Sequence, residues 1–370
     1  MAVQDLKKQD SKFFDEPIEF GKPIVTKGRI FAFPLKSSIR QSLIEKGNCV
    51  SIVWDNKGSI FYGLVIGKDS HIFLLDSNST VEDVGRIDVK NPINGALVYD
   101  DKDTIVCIIT DENNIKVFTY NLGMVRRMYS HMWGHFSCDT INNTNAHLHD
   151  EVFYSAIKSD FDDLFYILTA KGNIYSLDIK NNEINLIQTV DTKNLSRVLC
   201  SNTLNGDIYG INREGNFWRL NNKKEIHYLD AKIPCMKNRD YVASASKLLW
   251  KFNKIYGCTL QDAYLFEFDP SNNIIKNFGR PDENFEVRDI DILEDGRIFG
   301  ITANKNRGMG RIFCYSDKFG FQDIGIIQAW QSTQDFAYEP LCIKSGASGD
   351  FLIGNGENRS NIFLFCSYPA

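Results

Sequence analysis

A two-strand phrase recurs along nearly the whole chain, and it narrows the accessible folds more than any other feature. Its first strand reads IFYGLVIG from Ile60, TIVCIIT from Thr104, LFYILT from Leu164, DIYGIN from Asp207, KIYGCT from Lys254, RIFGIT from Arg297 and DFLIGN from Asp350. Its second strand reads HIFLLDS from His71, NIKVFTYN from Asn114, NIYSLDIK from Asn173, NFWRLNNK from Asn216, YLFEFDPS from Tyr264, RIFCYSDK from Arg311 and NIFLFCSY from Asn361. Each second strand begins within hairpin distance of its partner. Successive second strands are 43, 59, 43, 48, 47 and 50 residues apart.

Periods of about 40 to 50 residues with about four strands per unit describe a β-propeller, in which small antiparallel sheets stack face to face around an axis. The missing strands can be found. Cys49 to Trp54, Ala96 to Tyr99, Val152 to Ala156, Arg197 to Ser201, Lys247 to Phe252, Val287 to Ile292 and Pro340 to Lys344 precede the hairpins, and Val81 to Ile87, Ile184 to Val190, Ile226 to Leu229 and Gln322 to Ile327 follow them. The chain therefore reads as one all-β domain over residues 1–370, a seven-bladed propeller with an N-terminal extension at 1–28. The seventh copy stops after its third strand, and the spare strand RIFAF at Arg29 to Phe33 is predicted to complete it. Closing the ring this way removes two open sheet edges. A short helix is predicted near Ser38 to Lys46, with Ser38 and Gln41 as a capping box. The alternative weighed is a two-sheet sandwich or two separate β domains, which the regular spacing disfavours.

Composition bounds the partners. The 370 residues carry 42 Lys and Arg against 47 Asp and Glu, a net charge of -5, so nothing pulls the whole molecule toward nucleic acid or an anionic membrane. Apolar runs such as Ile105 to Ile109 are strand-length, and charged Met1 to Glu19 lacks the apolar stretch of a secretory signal. The nine cysteines sit mostly in apolar strand patterns and form no CxxC pair. A cytoplasmic protein with reduced thiols is the expectation.

The long interval falls within Met124 to Asp150, predicted as an insertion between blades two and three on the ligand face of the ring. It contains His131, His135, His147 and His149, four of the six histidines, together with Arg127, Trp133 and three of the six methionines. Three readings of the histidines stay open. His131 with His135, and His147 with His149, have spacings that present two imidazoles to a divalent metal such as zinc or manganese. One or two of them have the chemistry of a general base near neutral pH. Alternatively they hydrogen-bond the backbone of an irregular loop. Other loops assigned to the same face bring Arg239, Tyr241, Arg280, Arg288, Trp330 and Tyr338, and strand-two-to-three turns bring Arg213, Asp262, Arg307 and Arg359. Such residues suit planar or anionic sugars: guanidinium groups fork to carboxylates, and aromatic faces cover sugar C–H surfaces. Phosphate cradles, HExxH and GxSxG are all missing from the sequence.

The blade phrase, clearest at Gly206 to Asn212 and Ile255 to Asp269, resembles the degenerate blades of seven-bladed propellers among polysaccharide lyases and related uncharacterised bacterial proteins. It does not resemble WD40 repeats, since Trp54-Asp55 stands alone. In the ulvan-lyase-like branch a His and a Tyr carry the elimination and an Arg neutralises a uronate carboxylate. The resemblance implies His131 or His149 with Tyr241 as that catalytic set, with Arg239 or Arg288 on the carboxylate. Two functional expectations follow. One is a carbohydrate or small polar ligand bound at the channel mouth, with oligosaccharide lyase activity as its enzymatic form and Arg127, Trp133, Arg239, Arg288, Trp330 and Tyr338 as ligand contacts. The other is a non-catalytic scaffold for a protein or glycan partner. No cofactor beyond the optional divalent metal is implied.

Overall fold

The computed structural model describes residues 29–34, 47–68, 70–76, 81–100, 102–122, 141–190, 197–212, 214–236, 244–282, 285–304, 309–329, 335–347, 349–356 and 361–366. These residues form seven four-stranded antiparallel sheets, and each of the first six sheets follows the chain order of its strands. The first strands of the blades are Gly47–Asp55, Pro92–Asp100, Phe153–Lys158, Cys200–Ser201, Ala245–Lys251, Phe285–Ile292 and Pro340–Ser345. Every one packs against the first strands of the two neighbouring blades, and the seventh packs back on the first. They therefore form the innermost ring around the axis. The protein is a seven-bladed β-propeller.

Closure follows the predicted route. Blade seven comprises Pro340–Ser345, Phe351–Asn355 and Asn361–Cys366, and its outermost strand is Arg29–Pro34 from the other end of the chain. The pairing runs from Arg29 opposite Cys366 to Pro34 opposite Asn361. The predicted helix near Ser38 to Lys46 lies outside the described residues. Among the described residues, no helix is long and apolar enough to cross a membrane.

The core is distributed between the blades. Among the described residues, seven apolar clusters occur, one at each junction, including the junction of blades seven and one. Strand IFYGLVIG shows why its sequence is almost continuously apolar. Ile60, Tyr62, Leu64 and Ile66 face blade two, while Phe61 and Val65 face blade seven. A strand buried on both faces has no polar side to alternate with.

The glycine of the phrase has a packing reason. Gly63, Gly210, Gly257 and Gly300 pair across the sheet with Phe73, Trp218, Phe266 and Phe313. The aromatic ring lies across the glycine so closely that a Cβ there would come within 2.1 to 2.4 Å of a ring carbon. The ring fills the volume a side chain would have taken, and the third strand's aromatic becomes part of the interblade core.

Buried and half-buried polar groups also stitch neighbouring inner strands. Ser51 Oγ accepts the Leu97 N–H at 3.0 Å, Asn94 donates to the Phe153 carbonyl at 2.6 Å, and Ser246 donates to the Val287 carbonyl at 2.6 Å. Between blades six and seven, Asp289 accepts the Ile343 N–H at 3.0 Å. Each bond satisfies a group that the core would otherwise strand away from water.

Candidate functional site

A four-stranded meander sends strands one and three out at the same edge, so the disc has two distinct faces. One carries the strand-one-to-two and three-to-four turns, the other the strand-two-to-three turns and the connections between blades. The sequence reading placed the ligand on the second face. The described cavity opens on the first.

This cavity, about 790 Å³, sits where the first strands of blades one, two, five, six and seven end. Its aromatic wall is Trp54, Tyr99 and Trp250; its charged wall is Lys251, Asp291, Glu294, Asp295, Arg297 and Lys344. Trp54 is braced by Phe61, ring centroids 4.5 Å apart, and its Nε1 is buried without a hydrogen-bond partner. Gly346 lies under the same indole, where a Cβ would come to 3.3 Å of two ring carbons. Tyr99 donates its hydroxyl to the fully buried Asp55 at 3.0 Å, which fixes the phenol at the rim.

The electrostatics of the wall are balanced. Asp291 Oδ2 accepts the Ser345 N–H and hydroxyl, each at 2.7 Å, and lies 3.0 Å from Lys344 Nζ. Burial alone would push this carboxyl up, but the Lys344 charge and the Ser345 bonds outweigh it and hold Asp291 below the usual carboxylate range. Two residues earlier on the strand, burial pushes Asp289 up, with Lys247 at 3.1 Å working against it. At the rim, Arg297 Nε bonds Asp295 at 2.8 Å and Lys251 pairs with Glu294. Among the described residues, three cations in the wall thus face three carboxylates, one each.

Of the sequence-predicted site residues, His131, His135, Arg127, Trp133, Arg239, Tyr241 and Trp330 lie outside the described residues, as do Arg213, Arg307 and Arg359. His147 and His149 are described and exposed. His147 is on Ile141–Leu148, which pairs with the third strand of blade two and forms its outermost strand; His149 is in the following turn. Both sit on the outer rim, away from the inner strands.

The same pairing corrects the position of the insertion. Residues 123–140 connect strands three and four within blade two, not blade two to blade three. Their described flanks, Leu122 and Ile141, therefore lie at the face that bears the cavity. The sequence INNTNAHL conceals a strand because an outermost strand needs few apolar residues.

Arg288 is the extra residue of a β-bulge between Val287 and Asp289, a feature repeated in the first strands of six blades. Its guanidinium is engaged by Glu286 at 3.1 Å. Tyr338 lies tilted against Phe336, centroids 6.1 Å apart, on the segment entering blade seven and so toward the opposite face from the cavity. The structure brings none of these described residues into the cavity. No group of three or more His, Cys, Asp or Glu arranged to hold a metal occurs among the described residues.

The cavity residues themselves were visible as strand ends. Trp54, Tyr99, Trp250, Asp291 and Lys344 each stand at the last positions of a first strand, and an aromatic or charged residue recurring there was the available signal.

No protein-family model matches the chain, and no curated protein matches its sequence. Among solved structures it is similar to a chain of the nidogen/laminin complex, at 11% identity and a TM-score of 0.44, over 62% of this chain and 80% of that one. At that level of likeness no function follows from the match, and the propeller assignment stands on the strand topology.

Proposed function

We propose that the protein is a binding propeller that holds an uncharged, carbohydrate-sized ligand in the cavity where the strand-one-to-two turns gather. The observation that carries this reading is the pairing of two indoles, Trp54 and Trp250, with a wall whose cations Lys251, Arg297 and Lys344 are each matched by a carboxylate. Indole faces cover the apolar C–H surface of a sugar ring, and paired charged groups offer fixed donors and acceptors to its hydroxyls. A net-neutral wall gives little selective attraction for a uronate, and a lyase needs a guanidinium free to neutralise one. The support therefore lies with binding rather than with elimination.

The test is a tryptophan-fluorescence titration with matched panels of neutral and uronate-bearing oligosaccharides. Neutral members should bind with little salt dependence, and Trp250→Ala should weaken binding roughly tenfold or more, the loss of one aromatic platform. Preferential, salt-sensitive binding of uronates, or release of unsaturated products from them, would contradict the reading.

A second reading has its own observation. Phe161, Leu204 and Phe252 are exposed at the strand-one-to-two turns of the consecutive blades three, four and five, on the cavity's face. An apolar arc of that kind suits a protein partner. Leu204→Asp with Phe252→Asp should abolish binding of such a partner while leaving oligosaccharide titrations unchanged.

A further inference from the structure

The junction that closes the ring contains two thiols side by side. Cys49 is on the first strand of blade one and Cys342 on the first strand of blade seven; both are buried, at 2% and 6% exposure. Cys342 Sγ donates to the Cys49 carbonyl oxygen at 3.4 Å. Both sulfurs crowd onto one glycine. A Cβ on Gly354 would lie 2.6 Å from Cys342 Sγ and 2.8 Å from Cys49 Sγ. The remaining buried cysteines differ: Cys107, Cys200, Cys258 and Cys314 each lie in a different junction, each the one described cysteine of its cluster.

We propose that Cys49 and Cys342 form a reversible disulfide that bolts blade seven to blade one, made by exchange with a small-molecule disulfide such as oxidised glutathione. One cysteine, as its thiolate, attacks a glutathione sulfur, forming a mixed disulfide and expelling one glutathione thiolate. The second cysteine thiolate then attacks the protein sulfur of that mixed disulfide and expels the second glutathione. The protein loses two electrons and two protons, and one oxidised glutathione becomes two reduced ones.

The location gives the bond a structural consequence. Blade seven takes its outermost strand from the other end of the chain, so the ring is shut there by the ladder between Arg29–Pro34 and Asn361–Cys366. A covalent link between residues 49 and 342 encloses nearly the whole repeat and restricts the unfolded chain accordingly. The neighbouring Cys49 side chain, together with burial, holds the Cys342 thiol well above its ordinary range, so the shut junction protects that thiol. Exchange then proceeds through opening of this junction and is limited by it.

The experiment incubates the folded full-length protein with oxidised glutathione, alkylates remaining thiols under denaturing conditions and maps the peptides without reduction. The expected result is one cross-linked pair joining Cys49 to Cys342, reversed by dithiothreitol, formed at a rate that levels off as oxidised glutathione is raised. The oxidised protein should unfold at a higher temperature than the reduced one. Cys342→Ser, a near-isosteric change whose folding is checked by circular dichroism, should form no cross-link and show no such rise. Should the conservative variant fail to fold, the wild-type peptide map still decides the matter. Recovery of both cysteines as alkylated thiols overturns the proposal, as does a link from either one to Cys366, which packs in the same cluster.

Discussion

Replacing Gly210 by alanine adds one methyl group at a point where the blade has no room for it. The new Cβ would lie 2.2 Å from Trp218 Cζ2 and 2.5 Å from Cε2, where ordinary contacts begin near 3.4 Å, so the indole must retreat by about 1.2 Å. It has nowhere to go, because Trp218 is fully buried in the junction of blades three and four. Overpacking of that kind costs about 1 to 3 kcal/mol, and the rigid neighbour places this site at about 3. Backbone strain does not add to it, since Gly210 is not among the positive-φ glycines. Trp218→Leu removes the clashing ring at a cost of about 2 to 4 kcal/mol for the lost burial. No polar bond is lost with it, because Trp218 Nε1 has no partner. Urea unfolding of the two single variants and the double variant closes a cycle. The double variant should be more stable than the sum of the singles by more than about 1 kcal/mol. Strict additivity, or a Gly210→Ala variant within about 0.5 kcal/mol of the parent, would refute the pairing of Gly210 with Trp218 and the blade packing built on it.

Other outcomes follow from the same geometry. Asp291→Asn leaves Lys344 without its counter-charge; with Lys344 about a third exposed, solvent screens part of the loss, and the cost should be about 2 kcal/mol by urea unfolding. Asp163 is held at about 2 by hydrogen bonds from Lys102 and Lys180, so its contribution is full above the unfolded carboxylate range near pH 4 and is lost as pH falls toward 2. Asp163→Asn should therefore flatten the acid side of a stability-versus-pH curve. A chain lacking residues 1–34 loses the strand opposite Asn361–Cys366 and exposes that edge; light scattering should show it associating at concentrations where the full chain stays monodisperse.

Much of the ring was legible because every blade repeats one physical solution. Second and third strands buried on both faces must be largely apolar, and in four blades a glycine stands opposite a large ring, so IYGCT and LFEFD announce themselves. The spare strand at Arg29 followed from counting, since six complete units and one incomplete one require a donor. Outermost strands answer to no such demand. Glu183–Thr189 is largely exposed, and Ile141–Leu148 is so polar that its residues read as insertion. Missing that one strand assigned the insertion to the connection between blades two and three rather than to the one between strands three and four of blade two. The site was less legible still. Which mouth of the channel holds the described cavity depends on how seven first strands, six of them bulged, pack their ends around the axis. Trp250 and Asp291 are distant in sequence, and nothing local ties either to Lys344. The histidine-rich segment drew notice by composition, yet the two described histidines from it stand on the rim.

A crystal structure with a neutral oligosaccharide bound tests the account most directly. Density for the sugar should stack on Trp250 or Trp54 inside the ring of strand-one-to-two turns, within hydrogen-bonding distance of the Arg297, Lys251 or Lys344 pairs. Sugar density at the other mouth of the channel, against Arg288 or Tyr338, would contradict it.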